Sequence, residues 1–187
     1  EFWYARWNSW RNSKIKLRTL GIDPGIWKVG YGIVEKKGNC FSVISTGFIV
    51  PPKNLKYKDK FSHIAKEVEK ILENANMDFV AIEEIYIAKN VQIALKIGQV
   101  IGIIEAIAMR HNIDFETIPP REVKKCLTGI GSADKGQVKF MVETITGYKN
   151  FKNVDESDAV AVAISSFYLK EENDLLYKWK DSWKKSN

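Results

Sequence analysis

The sequence predicts an α/β domain: a mixed five-stranded sheet with helices on both faces. Two observations lead there. The chain opens with three strand-like segments joined by turn signals, and then strand and helix periods alternate. Taken in order, Leu17 to Asp23 is a short apolar run ended by Pro24-Gly25, which predicts a strand and a turn. Val29 to Glu35 and Cys40 to Val50 follow as strands, joined by the hairpin signal Lys36-Lys37-Gly38-Asn39 and closed by Pro51-Pro52. Phe61, Ile64, Ala65, Val68, Ile71 and Leu72 recur with helical period. Phe79 to Glu83 predicts a fourth strand, residues 90–110 a long helix, and Phe115 to Ile118 a fifth strand before Pro119-Pro120. Three helical stretches close the chain, at about 120–127, 134–146 and 155–170.

The chain has 187 residues, 45% apolar and 28% charged, which suits one domain with a single substantial core. No stretch reads as the roughly 18 to 20 uncharged apolar residues of a membrane span, so no membrane partner is expected. Cys40 and Cys126 stand far apart without metal-ligand spacing, which argues against a disulfide framework or a zinc knuckle and for a reducing, cytoplasmic setting. The net charge of +6 is concentrated at the N-terminus, where Arg6, Arg11, Lys14, Lys16 and Arg18 face Glu1 alone. Bulk charge therefore says little about the core, and local clustering has to carry any case for a polyanionic partner. Residues 1–17, rich in Trp and Arg, read as an extension or tag expected to be disordered. The alternative is an aromatic-cationic arm that grips DNA or a membrane.

Four acids stand where strands and helices end. Asp23 closes the first strand and Glu83 the fourth, each after apolar residues, so each carboxylate is expected at the rim of a buried sheet. Asp155 and Asp158, three apart, share one face at the start of the last helix. The run Ala159 to Ile164 that follows is apolar all round and must pack against the sheet, fixing that first turn close to the core. Carboxylates gathered this way repel and raise one another's pKa unless a cation lies between them. Oxygen-only donors suit Mg²⁺ or Mn²⁺, and two such ions about 4 Å apart activate a water and stabilise a leaving oxygen in phosphodiester cleavage. Each acid also has an ordinary use, as a turn residue, a solvated strand end, or an N-cap and first-turn acid. Arg121, Lys124, Lys125, Lys135 and Lys139 outnumber Glu122 and Asp134 between 121 and 139, forming a basic rim or a solvated helix face. The loop Gly129-Ile130-Gly131-Ser132-Ala133 either hugs a phosphate or only connects. Gly98 and Gly102, four apart, allow close approach to the sheet or to the same helix of a second copy.

Ordered blocks from Arg18 to Leu169 resemble the RuvC Holliday junction resolvases, which have an RNase H-like fold. They are Leu20-Gly21-Ile22-Asp23-Pro24-Gly25 with Gly30-Tyr31-Gly32, Ala81-Ile82-Glu83-Glu84 with Ala88-Lys89-Asn90, and Ala94 to Gln99. Pro120 to Lys124, Gly129 to Lys135 and Asp155 to Ala159 complete the series. The resemblance implies a dimeric, Mg²⁺-dependent endonuclease, with two ions per site, that nicks two opposed strands of four-way junction DNA. Asp23, Glu83, Asp155 and Asp158 match the family's metal-binding acids. Lys124 and Lys135 match basic residues near the scissile phosphate, and Tyr86 an aromatic that stacks near the crossover. Lys89 and Arg121 join the expected DNA contacts, and a branch-migration helicase and a bacterial, nucleoid-associated setting go with the family. Residues 18–170 then form the nuclease domain and 171–187 a C-terminal tail. Glu156-Ser157 departs from the small residues usual there and is expected to add a charge beside the site. The competing readings are an actin-like ATPase, a non-catalytic junction binder, and a nuclease of RNA–DNA hybrids.

Overall fold

A computed structural model describes residues 16–85 and 91–186, with side chains described as far as Glu171. Strands β1 (Lys16–Asp23), β2 (Val29–Lys37) and β3 (Cys40–Ile49) form an antiparallel meander. Helix α1 (Tyr57–Ala75) leads to β4 (Phe79–Glu83), and α2 (Val91–Arg110) leads to β5 (Asp114–Ile118). Helices α3 (Pro120–Thr128), α4 (Lys135–Thr146) and α5 (Val154–Ser186) follow. The sheet order is β3-β2-β1-β4-β5, with β4 parallel to both β1 and β5. The expected mixed five-stranded sheet is therefore the observed one, and its strands begin or end within two residues of their predicted positions.

Alternation along each strand sorts the core into two layers. Leu20, Ile22, Val80 and Ile82 pack with Ile64, Val68, Ile101 and Ile104 of α1 and α2 on one face. Leu17, Val34, Phe79 and Ala81 pack with Val123, Val138, Val142 and the run from Val160 to Ile164 on the other. Helices thus cover both faces. The hairpin between β2 and β3 turns on Gly38 and Asn39, and Gly38 takes φ +57°, which glycine adopts without steric cost.

Helix α5 departs from expectation in length. It runs on to Ser186, so the segment expected as a tail from 171 continues the helix. Its run from Ala159 to Ile164 is apolar all round and is held between sheet and helices; Val160, Val162 and Ile164 are fully buried. The closeness of this packing is set by glycine. A Cβ on Gly21 would overlap the carbonyl oxygen of Ala159 and lie 2.7 Å from the Ala163 nitrogen, and one on Gly32 would lie 2.6 Å from a Val160 methyl. Lys36, also buried, pins the far end of the contact: its ammonium bonds Glu171 of α5 and lies 5.1 Å from the Phe41 ring centroid.

Helix α2 passes the length and composition test for a membrane span, the only described helix to do so. That qualifies the expectation that no such segment exists. Its inner face, with Val100, Ile104 and Ala108 fully buried, is spent on the sheet. Its outer face leaves Val91, Leu95 and Met109 exposed, and open space stands where Cβ atoms on Gly98 and Gly102 would project. Close packing of these glycines against the sheet, one of the two sequence readings, is therefore not what the chain does.

Gly21→Ala is expected to push α5 off β1. Overpacking of this kind costs about 1–3 kcal/mol, so the variant should melt several degrees below wild type by circular dichroism.

Candidate active site

The parity of the strands places the first two acids. Asp23 shares its face of β1 with Leu17 and Gly21, and Glu83 shares its face of β4 with Phe79 and Ala81, so both emerge on the side covered by α5. They follow the parallel pair Ile22 and Ile82 by one step each. A Cβ on Gly30 would lie 3.3 Å from that of Asp23 and 3.8 Å from the Asp155 carbonyl oxygen, so glycine lets the first turn of α5 settle over the end of β1. The acids, distant in sequence, come close in space: the charges of Asp158 and Asp155 help raise the Asp23 carboxyl, and those of Asp23 and Asp158 help raise Glu83.

Lys135 completes the cluster. Asp134 caps α4, accepting from the Gln137 nitrogen at 2.9 Å, while the Gln137 side chain accepts from the Asp134 nitrogen at 3.0 Å. Lys135 is then the first helical residue, where a cation opposes the helix dipole. Its position is explained by the acids instead: Nζ donates to Asp158 Oδ2 at 2.5 Å and to Asp155 Oδ1 at 3.1 Å. The other oxygen of Asp155 accepts from Lys28 Nζ at 2.8 Å.

Burial raises the Asp23 carboxyl to about 6, with Asp158 adding to the effect and Lys135 opposing it. Burial likewise raises Glu83 to about 7, with the Asp23 and Asp158 charges behind it. A hydrogen bond between the two lowers Asp23 and raises Glu83, the signature of Glu83 as donor. Asp155 goes the other way, held low by hydrogen bonds from Lys28 and then Lys135. Burial pulls the Lys135 ammonium down, but its bonds to Asp158 and Asp155 outweigh that and leave it raised. The metal-free cluster is thus made tolerable by a proton on the Asp23–Glu83 pair and by two ammoniums. A set of oxygen donors that has to borrow this much positive charge fits a hard divalent cation.

The other expected residues divide. Arg121 is exposed on α3 and packs its stem beneath Gly131, and Lys124 is half-buried on the same helix. Among the described residues, the ion pairs reaching the four acids come from Lys135 and Lys28 only. Lys139 pairs with Glu143 along its own helix, the ordinary solvated use. Tyr86 and Lys89 lie outside the described residues. Three of the five amides in the 129–133 loop are spent internally: Gly129, at φ +76°, donates to Lys125, Ile130 to the Thr128 hydroxyl and Ala133 to Ile130. That favours a connector over a phosphate cradle. Glu156 departs from expectation in where its side chain goes: it turns to the loop before α5 rather than to the four acids. It is buried and accepts from the Lys152 nitrogen at 2.8 Å, tying down the loop before α5. Lys28 is the residue that the sequence reading missed; its one signal was a basic residue in the turn just after the first acid. A separate donor group, Glu69, Glu73 and His111, lies on and just after the helices of the opposite face, where Arg110 already bonds Glu69.

A mixed sheet with acids at the ends of its first and fourth strands and at the start of its last helix, joined by a lysine, gathers the oxygen donors that suit a divalent cation, a candidate nuclease centre. Residues 19–166 match the family model of crossover junction endodeoxyribonuclease RuvC. Crossover junction endodeoxyribonuclease RuvC of Baumannia cicadellinicola is 39% identical over 84% of this chain and 90% of that protein. The protein of the same name from Caldicellulosiruptor saccharolyticus is 37% identical over 87% of this chain and 98% of its own length. The solved structure of T. thermophilus RuvC, in complex with a Holliday junction substrate, superposes with a TM-score of 0.78 at 28% identity, covering 83% of this chain and 96% of that one. The chain belongs to the RuvC family.

The raised Asp23 carboxyl gives a pH dependence with a definite sign. A carboxyl that holds its proton to about 6 when folded, against 3.8 when unfolded, binds protons more tightly in the native state. Metal-free stability therefore falls as pH rises from about 4 to 6. Asp23→Asn lacks that titration. Metal-free Asp23→Asn should melt higher than wild type at pH 7, and the gap should close near pH 4, by scanning calorimetry in EDTA.

Proposed function

We propose that this protein is a structure-selective endonuclease that resolves four-way (Holliday) DNA junctions by symmetric phosphodiester hydrolysis, in homologous recombination and repair. The observation that carries the reading is the meeting of Asp23, Glu83, Asp155 and Asp158 around Lys135 in a chain of the RuvC family. These four carboxylates would hold the divalent cation, Mg²⁺ as two ions per site with Mn²⁺ able to substitute, and the metal would supply an activated water and stabilisation of the leaving oxygen. Asp23 and Glu83 would have to give up their shared proton to serve as ligands, so metal binding would be favoured as pH rises through about 6 to 7. Lys135 stands beside them and offers its ammonium to the phosphodiester; Lys124 and Arg121 hold the neighbouring backbone. Tyr86 stacks near the crossover and Lys89 adds a phosphate contact, both by their match to the family. The nuclease domain spans 18–170, and the protein works in the bacterial cytoplasm with a branch-migration helicase.

Symmetric cleavage needs two sites, and the outer face of α2 supports a homodimer. Val91, Leu95 and Met109 are exposed there beside uncovered Gly98 and Gly102, and an isologous contact places two sites about one two-fold axis. Leu95→Glu is expected to give a monomer by light scattering and to slow cleavage of both strands, while leaving the fold intact by circular dichroism.

On a labelled four-way junction, cleavage should require Mg²⁺ and exceed that of an RNA–DNA hybrid. Asp23→Asn should abolish cutting, by 10²-fold or more as an order of magnitude for loss of an essential electrostatic element, and keep junction binding. Normal cutting by that variant would overturn the site assignment.

A further inference from the structure

We propose that Lys28 is a positioning residue that serves as a built-in counter-cation to Asp155 and sets how tightly the site takes a divalent cation. The inference rests on the metal-binding role proposed above for the four acids. Both oxygens of Asp155 are occupied by ammoniums: Lys135 holds Oδ1 at 3.1 Å, and Lys28 holds Oδ2 at 2.8 Å. The two lysines are not equivalent. Lys135 also bonds Asp158 and so reaches into the middle of the cluster. Lys28 touches Asp155 alone among the four acids. Its ammonium also lies 4.4 Å from the centroid of the Phe48 ring on β3, a cation–π contact that holds the side chain on the β1–β2 turn against the start of α5.

This arrangement does two things. It clamps a half-exposed carboxylate in one orientation across 127 residues of sequence, joining the turn after Asp23 to the first turn of α5. It also places a positive charge where an arriving cation would meet the same oxygen. An ammonium on a ligand oxygen has to be displaced before that oxygen can coordinate, and like charges a few ångströms apart oppose each other even at the surface. Lys28 therefore lowers divalent-cation affinity while offsetting part of the negative charge of the metal-free cluster. The aromatic ring offers the displaced ammonium a resting place, so release does not require the turn to move.

The test is direct binding of Mn²⁺ to the full chain without DNA, followed by electron paramagnetic resonance of the free ion and by the Mn²⁺-induced rise in melting temperature. Lys28→Met keeps the length of the stem and removes the charge; Lys28→Gln serves if Met at this turn impairs solubility. Either should bind Mn²⁺ about three- to tenfold more tightly than wild type at low salt, with the difference shrinking as salt is added. Lys28→Arg should behave as wild type. In an Asp155→Asn background the substitution should change affinity much less, which separates a contact at Asp155 from a general change in surface charge. Equal or weaker Mn²⁺ binding by Lys28→Met, or an undiminished effect in the Asp155→Asn background, would overturn the proposal while leaving the metal-site reading in place. A wild-type chain that binds no Mn²⁺ would instead overturn the metal-site reading itself.

Discussion

The close contact between α5 and the glycine-lined surface of β1 and β2 governs the rest of the molecule. Two glycines, Gly21 and Gly32, meet Ala159, Val160 and Ala163 with no room for a further carbon. Ordinary helix–sheet packing would hold the helix farther from the sheet, and the carboxylates at its start would stand away from Asp23. The apolar run that fills this contact contributes to the core and, by the same packing, sets the height of Asp155 and Asp158 above the sheet. Stability and site geometry are one property here.

A second constraint is charge. Four acids near one another oppose folding, and the chain offsets this with a proton shared by Asp23 and Glu83 and with Lys135 and Lys28 on the other two. The pairs are not interchangeable. Asp23 and Glu83 lie at the sheet end, where burial dominates and raises both carboxyls. Asp155 lies on the more open side, where lysines hold it ionised. A single cluster thus contains one half whose carboxyls are raised by burial and one half paired with ammoniums, and both halves call for positive charge.

Much of this was legible in the residues because it depends on local periodicity. Strand alternation puts Asp23 and Glu83 at buried strand ends, and the three-residue spacing puts Asp155 and Asp158 on one face. What sequence reading missed depends on contacts distant along the chain or on details of rotation about a helix. Lys28 meets a residue 127 positions away, and nothing in Ile26-Trp27-Lys28 signals that partner. Glu156 is next to Asp155 in sequence, yet one residue turns it about 100° around the helix, inward to the loop it secures. The far reach of α5 was missed because the apolar pattern fades after Leu169, although the lysines, glutamates and leucines there still favour helix. The glycines of α2 left two packing partners open, and the structure excludes the sheet.

The reciprocal cap at the start of α4 also bears on how this region can change over time. Surface connections usually absorb insertions and deletions with little harm. The stretch from Gly129 to Asp134 is tied at both ends, by the left-handed glycine that ends α3 and by the Asp134–Gln137 pair that begins α4. One residue gained or lost would carry the cap along the helix and swing Lys135 away from Asp155 and Asp158. An exposed loop has become a spacer of fixed length, free to vary in residue type but not in residue number.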